Sequence, residues 1–170
     1  MLSTELLIEA FGRIRGGVHS TLKDASIEVL TFRADPEANT IAWLVWHLTR
    51  VQDDHIADLM GDDQIWTTGG WVGRFNLPFD ASATGYSQSA ADVAAVRPAS
   101  ELLAGYFDAV HTRTIDYLGT LTEPDFARIV DASWDPPVTL AVRVVSILSD
   151  DLQHVGQAAY VRGLAKRSGL

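Results

Sequence analysis

The stretch NTIAWLVWHLTRVQDDHIADLMG, residues 39 to 61, decides how this chain is read. Ile41, Val45, Leu48 and Leu59 recur at helical spacing, Asn39 or Thr40 stands ready as an N-cap, and Gly61 follows the last apolar residue. These signals predict a helix running to about Met60. At about 100° per residue its apolar face centres on those four side chains, with Gln52 and His55 inside it. His47, Asp54 and Asp58 fall within about 40° of one another, roughly 120° from the apolar centre and beside its Val51 edge. The helix therefore carries a polar row next to a dry face.

Three further stretches read as long helices. Residues 4 to 23 place Leu7, Ile8, Phe11, Ile14, Val18 and Leu22 at three- and four-residue spacing behind Ser3 or Thr4 as N-cap. Pro98 at the first helical position opens another, whose stripe is Leu102, Leu103, Tyr106, Val110, Tyr117 and Leu118, ending near Gly119. The last begins at about Val138, once Asp135-Pro136-Pro137 is past, and runs to Gly163 with Ala141, Val144, Val145, Leu148, Leu152, Val155 and Ala159 as its dry face. Between them lie a short connection at 26–33, a brief helical piece at 90–96, and two irregular segments. The longer, 61–89, is punctuated by Gly69-Gly70, Gly73, Pro78 and Gly85 yet holds Trp66, Trp71, Phe75, Phe79 and Tyr86, the pattern of a functional loop or lid. No strong alternating strand segment and no internal repeat is found. The expectation is one all-α domain over residues 1–170, a four-helix bundle with long crossover loops at 61–97 and 122–137.

Composition narrows the function. A net charge of −9 and a pI near 4.8 oppose phosphate backbones and anionic lipid, so neither nucleic acid nor membrane is an expected partner. With no cysteine, any metal must sit on histidine and oxygen, and no residue of the chain can serve as a thiolate. The start lacks a signal-peptide pattern and no apolar run reaches membrane-spanning length, which predicts a cytoplasmic protein.

Asp150 and His154 stand one helical turn apart on the flank of the last helix, so both side chains can reach one point, and His47 is the candidate third ligand. Two imidazoles and a carboxylate leave coordination positions open for water or substrate. The same pair also suits a plain surface ion pair. His55 reads as a core histidine, His19 and His111 as ordinary packing or surface, and Gln157 as facing solvent rather than bonding a bound ligand. The pairs Asp53-Asp54, Asp62-Asp63 and Asp150-Asp151 add negative potential that would attract a cation, although for the first two surface solubility is an equal explanation. Trp43 and Trp46 point away from the apolar centre and need cover, from the 66–86 loop or from a second subunit.

IAWLVWHLTRVQDDH, together with SDDLQHVGQAAYVRG at 149–163, resembles the DinB-like superfamily and, within it, the DUF664-type proteins of actinobacteria. The resemblance implies a four-helix bundle that binds a divalent metal through one histidine of the second long helix and an H-x-x-x-H pair of the last. His47 and His154 match that pattern, while Asp150 stands where the family usually has the pair's first histidine. The implied ion is Zn, Ni, Mn or Fe, and the implied activity is metal-dependent S-transfer from a low-molecular-weight thiol such as mycothiol to a small-molecule substrate. On that reading Asp54 or Asp151 orients an imidazole, and Arg50 or Arg143 meets a carboxylate of the thiol. Two other classes compete with it. One is a non-catalytic homodimer joined through Trp43 and Trp46. The other is a small-molecule binding protein without turnover.

Overall fold

A computed structural model describes residues 2–170. Four long helices form the bundle: α1 (Ser3–Leu22), α3 (Ile41–Met60), α7 (Ser100–Thr120) and α8 (Leu140–Arg167). Short helices fill the connections, with α2 (Ile27–Leu30) after α1, α4 (Ile65–Thr68) and α5 (Trp71–Phe75) after α3, and α6 (Ala90–Ala95) before α7. A 3-10 turn (Glu123–Ala127) and an antiparallel hairpin of β1 (Ile129–Asp131) and β2 (Val138–Thr139) lead into α8. The fold is thus the expected four-helix bundle with long crossover segments, with one small hairpin added.

α3 is the central element. The Thr40 hydroxyl accepts from Trp43 N at 3.1 Å to cap it, and Gly61 ends it in the left-handed conformation (φ 70°, ψ 30°). Every residue from Ile41 to Asp53 is buried, because α3 packs on α7 and most extensively on α8 while the 61–89 segment covers its remaining side. A helix hydrophobic all round needs such enclosure. Trp46 is held by Trp66 and Phe79, at ring separations of 6.4 and 5.9 Å, and Trp43 Nε1 donates to Gln88 Oε1 at 2.6 Å. The chain's own loop therefore covers both tryptophans, which removes the surface that a dimer joined through them would need.

Several boundaries differ from the sequence reading. Leu2, not Ser3 or Thr4, is the N-cap of α1, because the Ser3 hydroxyl donates instead to Glu123 Oε2 at 2.8 Å and ties α1 to the 3-10 turn. Pro98 precedes the N-cap Ala99 rather than opening α7. The 26–33 connection contains α2, capped by Ser26. α8 continues four residues past Gly163 because Ala165 is buried, so packing outweighs the glycine's cost. The hairpin escaped notice because its strands are too short to alternate.

The face of α8 is also rotated from the expected one. Val144 and Val155 are buried as predicted, together with Leu140, Ile147, Asp151 and Ala158. Val145 and Leu152 are 55% and 49% exposed, and Ala159 lies outside as well. A long helix that touches α1 and α3 at once buries a stripe set by both neighbours, and two candidate stripes of similar apolarity could not be told apart by composition.

Candidate metal centre

The antiparallel pairing of α3 and α8 brings His47 opposite the Asp150–His154 turn. One donor atom from each of His47, Asp150 and His154 lies within 4.8 Å of the others. The imidazole centroids are 4.8 Å apart, and His154 Nε2 is 3.5 Å from Asp150 Oδ1. His47 is buried, and the other two are partly exposed.

Both imidazoles are held by their far nitrogens. His47 Nδ1 lies 2.6 Å from the carbonyl oxygen of Thr84, which can only accept, so Nδ1 carries the proton and Nε2 keeps its lone pair. His154 Nδ1 contacts Gln157 Oε1 at 2.9 Å in the same sense. Tying the remote N–H to an oxygen is how proteins fix the tautomer and aim of a metal-binding histidine. Trp43 stacks on the His47 ring at 4.6 Å with the planes 14° apart, and Tyr86 meets it edge-on at 5.2 Å.

The electrostatics differ between the two histidines. Burial lowers the pKa of His47 from the ordinary 6.5, and the neighbouring His154 adds to the fall, against opposing effects of the Thr84 bond and Asp150. His154 also loses by burial, yet its hydrogen bonds to Asp150 and Gln157, with the Asp150 charge, raise it on balance. Asp150 Oδ2 is buried with no hydrogen-bond partner. A buried carboxylate oxygen is normally paired or bound to a metal, so this orphan beside two aimed imidazoles fits a divalent cation. The donor set, two nitrogens and a carboxylate with open positions, suits Zn, Ni, Mn or Fe.

The supporting residues are partly other than expected. Gln157 is exposed as expected, and its Oε1 also meets His154 Nδ1 at 2.9 Å. Asp54 accepts from Gln64 Nε2, and neither oxygen of the fully buried Asp151 has a partner, so neither aspartate holds an imidazole. Arg50 is fully buried and donates to Ala83 O at 3.1 Å and Gln64 Oε1 at 2.7 Å, out of reach of a cofactor's carboxylate. Asp53 is no surface group: it accepts from the α4 backbone at Ile65 N and Trp66 N and from the Tyr106 hydroxyl. Arg143 pairs with Asp131 at 3.1 Å and approaches His55 Nδ1 at 3.4 Å on the α3–α8 seam. His55 is half-buried there rather than enclosed in the core. His19 meets Asp108 and His111 stacks on Phe107, both away from the triad. The 61–89 loop, expected to be functional, supplies Tyr86 beside His47, but the orienting group is the Thr84 carbonyl, a backbone atom with no side-chain signal in the sequence.

The family model of the DinB superfamily matches residues 10–158. A solved structure described as the crystal structure of the conserved protein of locus from Enterococcus faecalis is 30% identical, with a TM-score of 0.90, and the match covers 97% of this chain and 98% of that one. No curated protein matches the chain.

Proposed function

The chain belongs to the DinB superfamily, and on that premise we propose that it binds one divalent metal ion through His47, Asp150 and His154 and uses it for S-transfer from a small thiol to an electrophilic substrate. The observation that carries the metal reading is the convergence of three donor atoms within 4.8 Å, with both histidines tied through Nδ1. The thiol part rests on the family resemblance and on one chemical fact: the chain has no cysteine, so a thiol must come from a cofactor.

Bound there, a divalent ion supplies Lewis acidity that makes a coordinated thiol acidic enough to ionise near neutral pH. The protein's own groups set the conditions. The lowered pKa of His47 keeps it neutral and ready to donate its lone pair. Tyr86 has its pKa raised by partial burial and by the charges of Asp150 and Asp54, so its hydroxyl stays protonated as a hydrogen-bond donor near the triad. Arg143 is the remaining basic candidate for an anionic group of the substrate, once it is released from Asp131.

Metal content by plasma mass spectrometry, on untagged protein purified without chelators, tests the site. About one ion per chain is expected in the wild type and none in His154→Ala. A wild type that takes up no zinc, nickel, manganese or iron, even after loading, would sink the reading. If metal is present, mycothiol and simpler thiols are then assayed for loss of free thiol with an electrophile.

A further inference from the structure

Residues 83–88 run along one stripe of α3 and are fastened to it at three successive turns. Arg50 Nε donates to Ala83 O at 3.1 Å, His47 Nδ1 to Thr84 O at 2.6 Å, and Trp43 Nε1 to Gln88 Oε1 at 2.6 Å. Gly85 lies between the last two ties with φ +110°, a backbone region that residues with a side chain rarely adopt. A Cβ there would stand 2.4 Å from His47 Nδ1 and 3.1 Å from both His47 Cγ and Trp43 Cζ2. The ring cannot retreat from such an atom, because Trp43 stacks against it at 4.6 Å.

We propose that Gly85 is a positioning residue: by letting the 83–88 strap lie directly on His47, it locks that imidazole as the Nδ1–H tautomer with Nε2 turned toward Asp150 and His154. Its functional consequence rests on the metal-binding reading above, but the tautomer is a property of the metal-free protein. A side chain at Gly85 must rotate the imidazole or lift the Thr84 carbonyl. Either change breaks the bond that selects the tautomer, and the ring is then free to place its proton on Nε2, the nitrogen needed for coordination.

The test is nitrogen NMR of the histidine side chains in metal-free wild type, Gly85→Ala and Gly70→Ala at mildly alkaline pH, followed by cobalt titration read by visible absorption. Gly70 also has positive φ (+70°) but no atom within 4 Å of an added Cβ, so it controls for backbone strain alone. His47 in the wild type and in Gly70→Ala should be the Nδ1–H form. In Gly85→Ala it should shift toward Nε2–H, with cobalt affinity falling by about 10–100-fold and an altered absorption band. Retention of the wild-type tautomer and affinity in Gly85→Ala would overturn the proposal. A shifted tautomer in a protein whose wild type binds no metal would uphold the positioning role and overturn the metal reading instead. Should Gly85→Ala not fold, Gln88→Ala loosens the same strap without adding an atom. An Nδ1–H tautomer unchanged in that variant would count against the strap.

Discussion

Two polar groupings share one turn of α3 and behave oppositely. Around Arg50 the accounts close: Arg50, Asp53, Gln64 and Tyr106 satisfy one another and the backbone of α4 and the 81–83 segment, and the Arg50 guanidinium lies 4.9 Å from the Trp66 ring centre. Around His47 they do not. One donor atom from each of His47, Asp150 and His154 lies within 4.8 Å of the others, and Asp150 Oδ2 is buried without a hydrogen-bond partner. A buried polar group that is fully paired holds elements in register, whereas an unpaired carboxylate oxygen beside two imidazoles is one that a bound cation would satisfy. The Arg50 cluster therefore serves the fold, while the His47 cluster keeps donor atoms that could hold a metal ion, although both start from neighbouring residues of α3.

The sharpest break in that comparison is Arg50→Ala. It leaves the fully enclosed Asp53 side chain without the guanidinium that lies 3.8 Å away, which should cost about 3–5 kcal/mol in urea unfolding. His154→Ala, by contrast, should abolish metal uptake with little change in the stability of the metal-free protein. A loss of less than about 1 kcal/mol in Arg50→Ala would mean that the backbone donors of α4 alone satisfy Asp53 and that the closed cluster is not a structural anchor.

A smaller effect is expected from pH. Metal binding requires neutral imidazoles and so competes with protons. His154 has its pKa raised above the ordinary 6.5, so as pH falls through that raised value the apparent metal affinity should drop by about tenfold per unit, while His47, lowered, adds its own proton only at more acid pH. In the metal-free protein the sign reverses: the raised pKa of His154 contributes stability below the unfolded-state value and loses it as pH rises through the folded one. Isothermal titration with zinc across the acid-to-neutral range reads the first effect, and urea unfolding of the metal-free protein over the same range reads the second. A flat profile would remove His154 from the ligand set.

The parts of this contrast legible in the sequence are those carried by periodicity. Thr40 and Gly61 bounded α3, and the i,i+4 spacing of Asp150 and His154 opposite a histidine of α3 yielded the triad that the structure brings together. What stayed hidden depends on contacts between distant segments. The Thr84 carbonyl that orients His47 leaves no side-chain signature, and Asp53, adjacent to Asp54 in a pair that looks solvated, is buried because α4 folds back onto it. Asp151 is the hardest case. Sequence makes it a twin of Asp150, yet it points into the core, where burial and the Asp150 charge hold its carboxyl well above the usual range. Which member of an aspartate pair faces inward was decided by the rotation of α8, the property that apolar spacing left ambiguous.

The finest test separates a tie made by backbone from one made by a side chain. His47 is oriented by a carbonyl that a substitution cannot delete, whereas His154 is oriented by the Gln157 amide, which Gln157→Ala removes outright. That deletion should weaken zinc binding by about tenfold, the low end of the usual range for an outer partner of a ligand, because Gln157 is exposed and water can take over part of its role. Thermal stability of the metal-free protein should not move, since the contact spans less than one turn on the surface of α8. Equal zinc affinity in the variant would mean that Asp150 alone orients His154, and the two histidines would then differ in kind: one locked by the fold, the other held only by its fellow ligand.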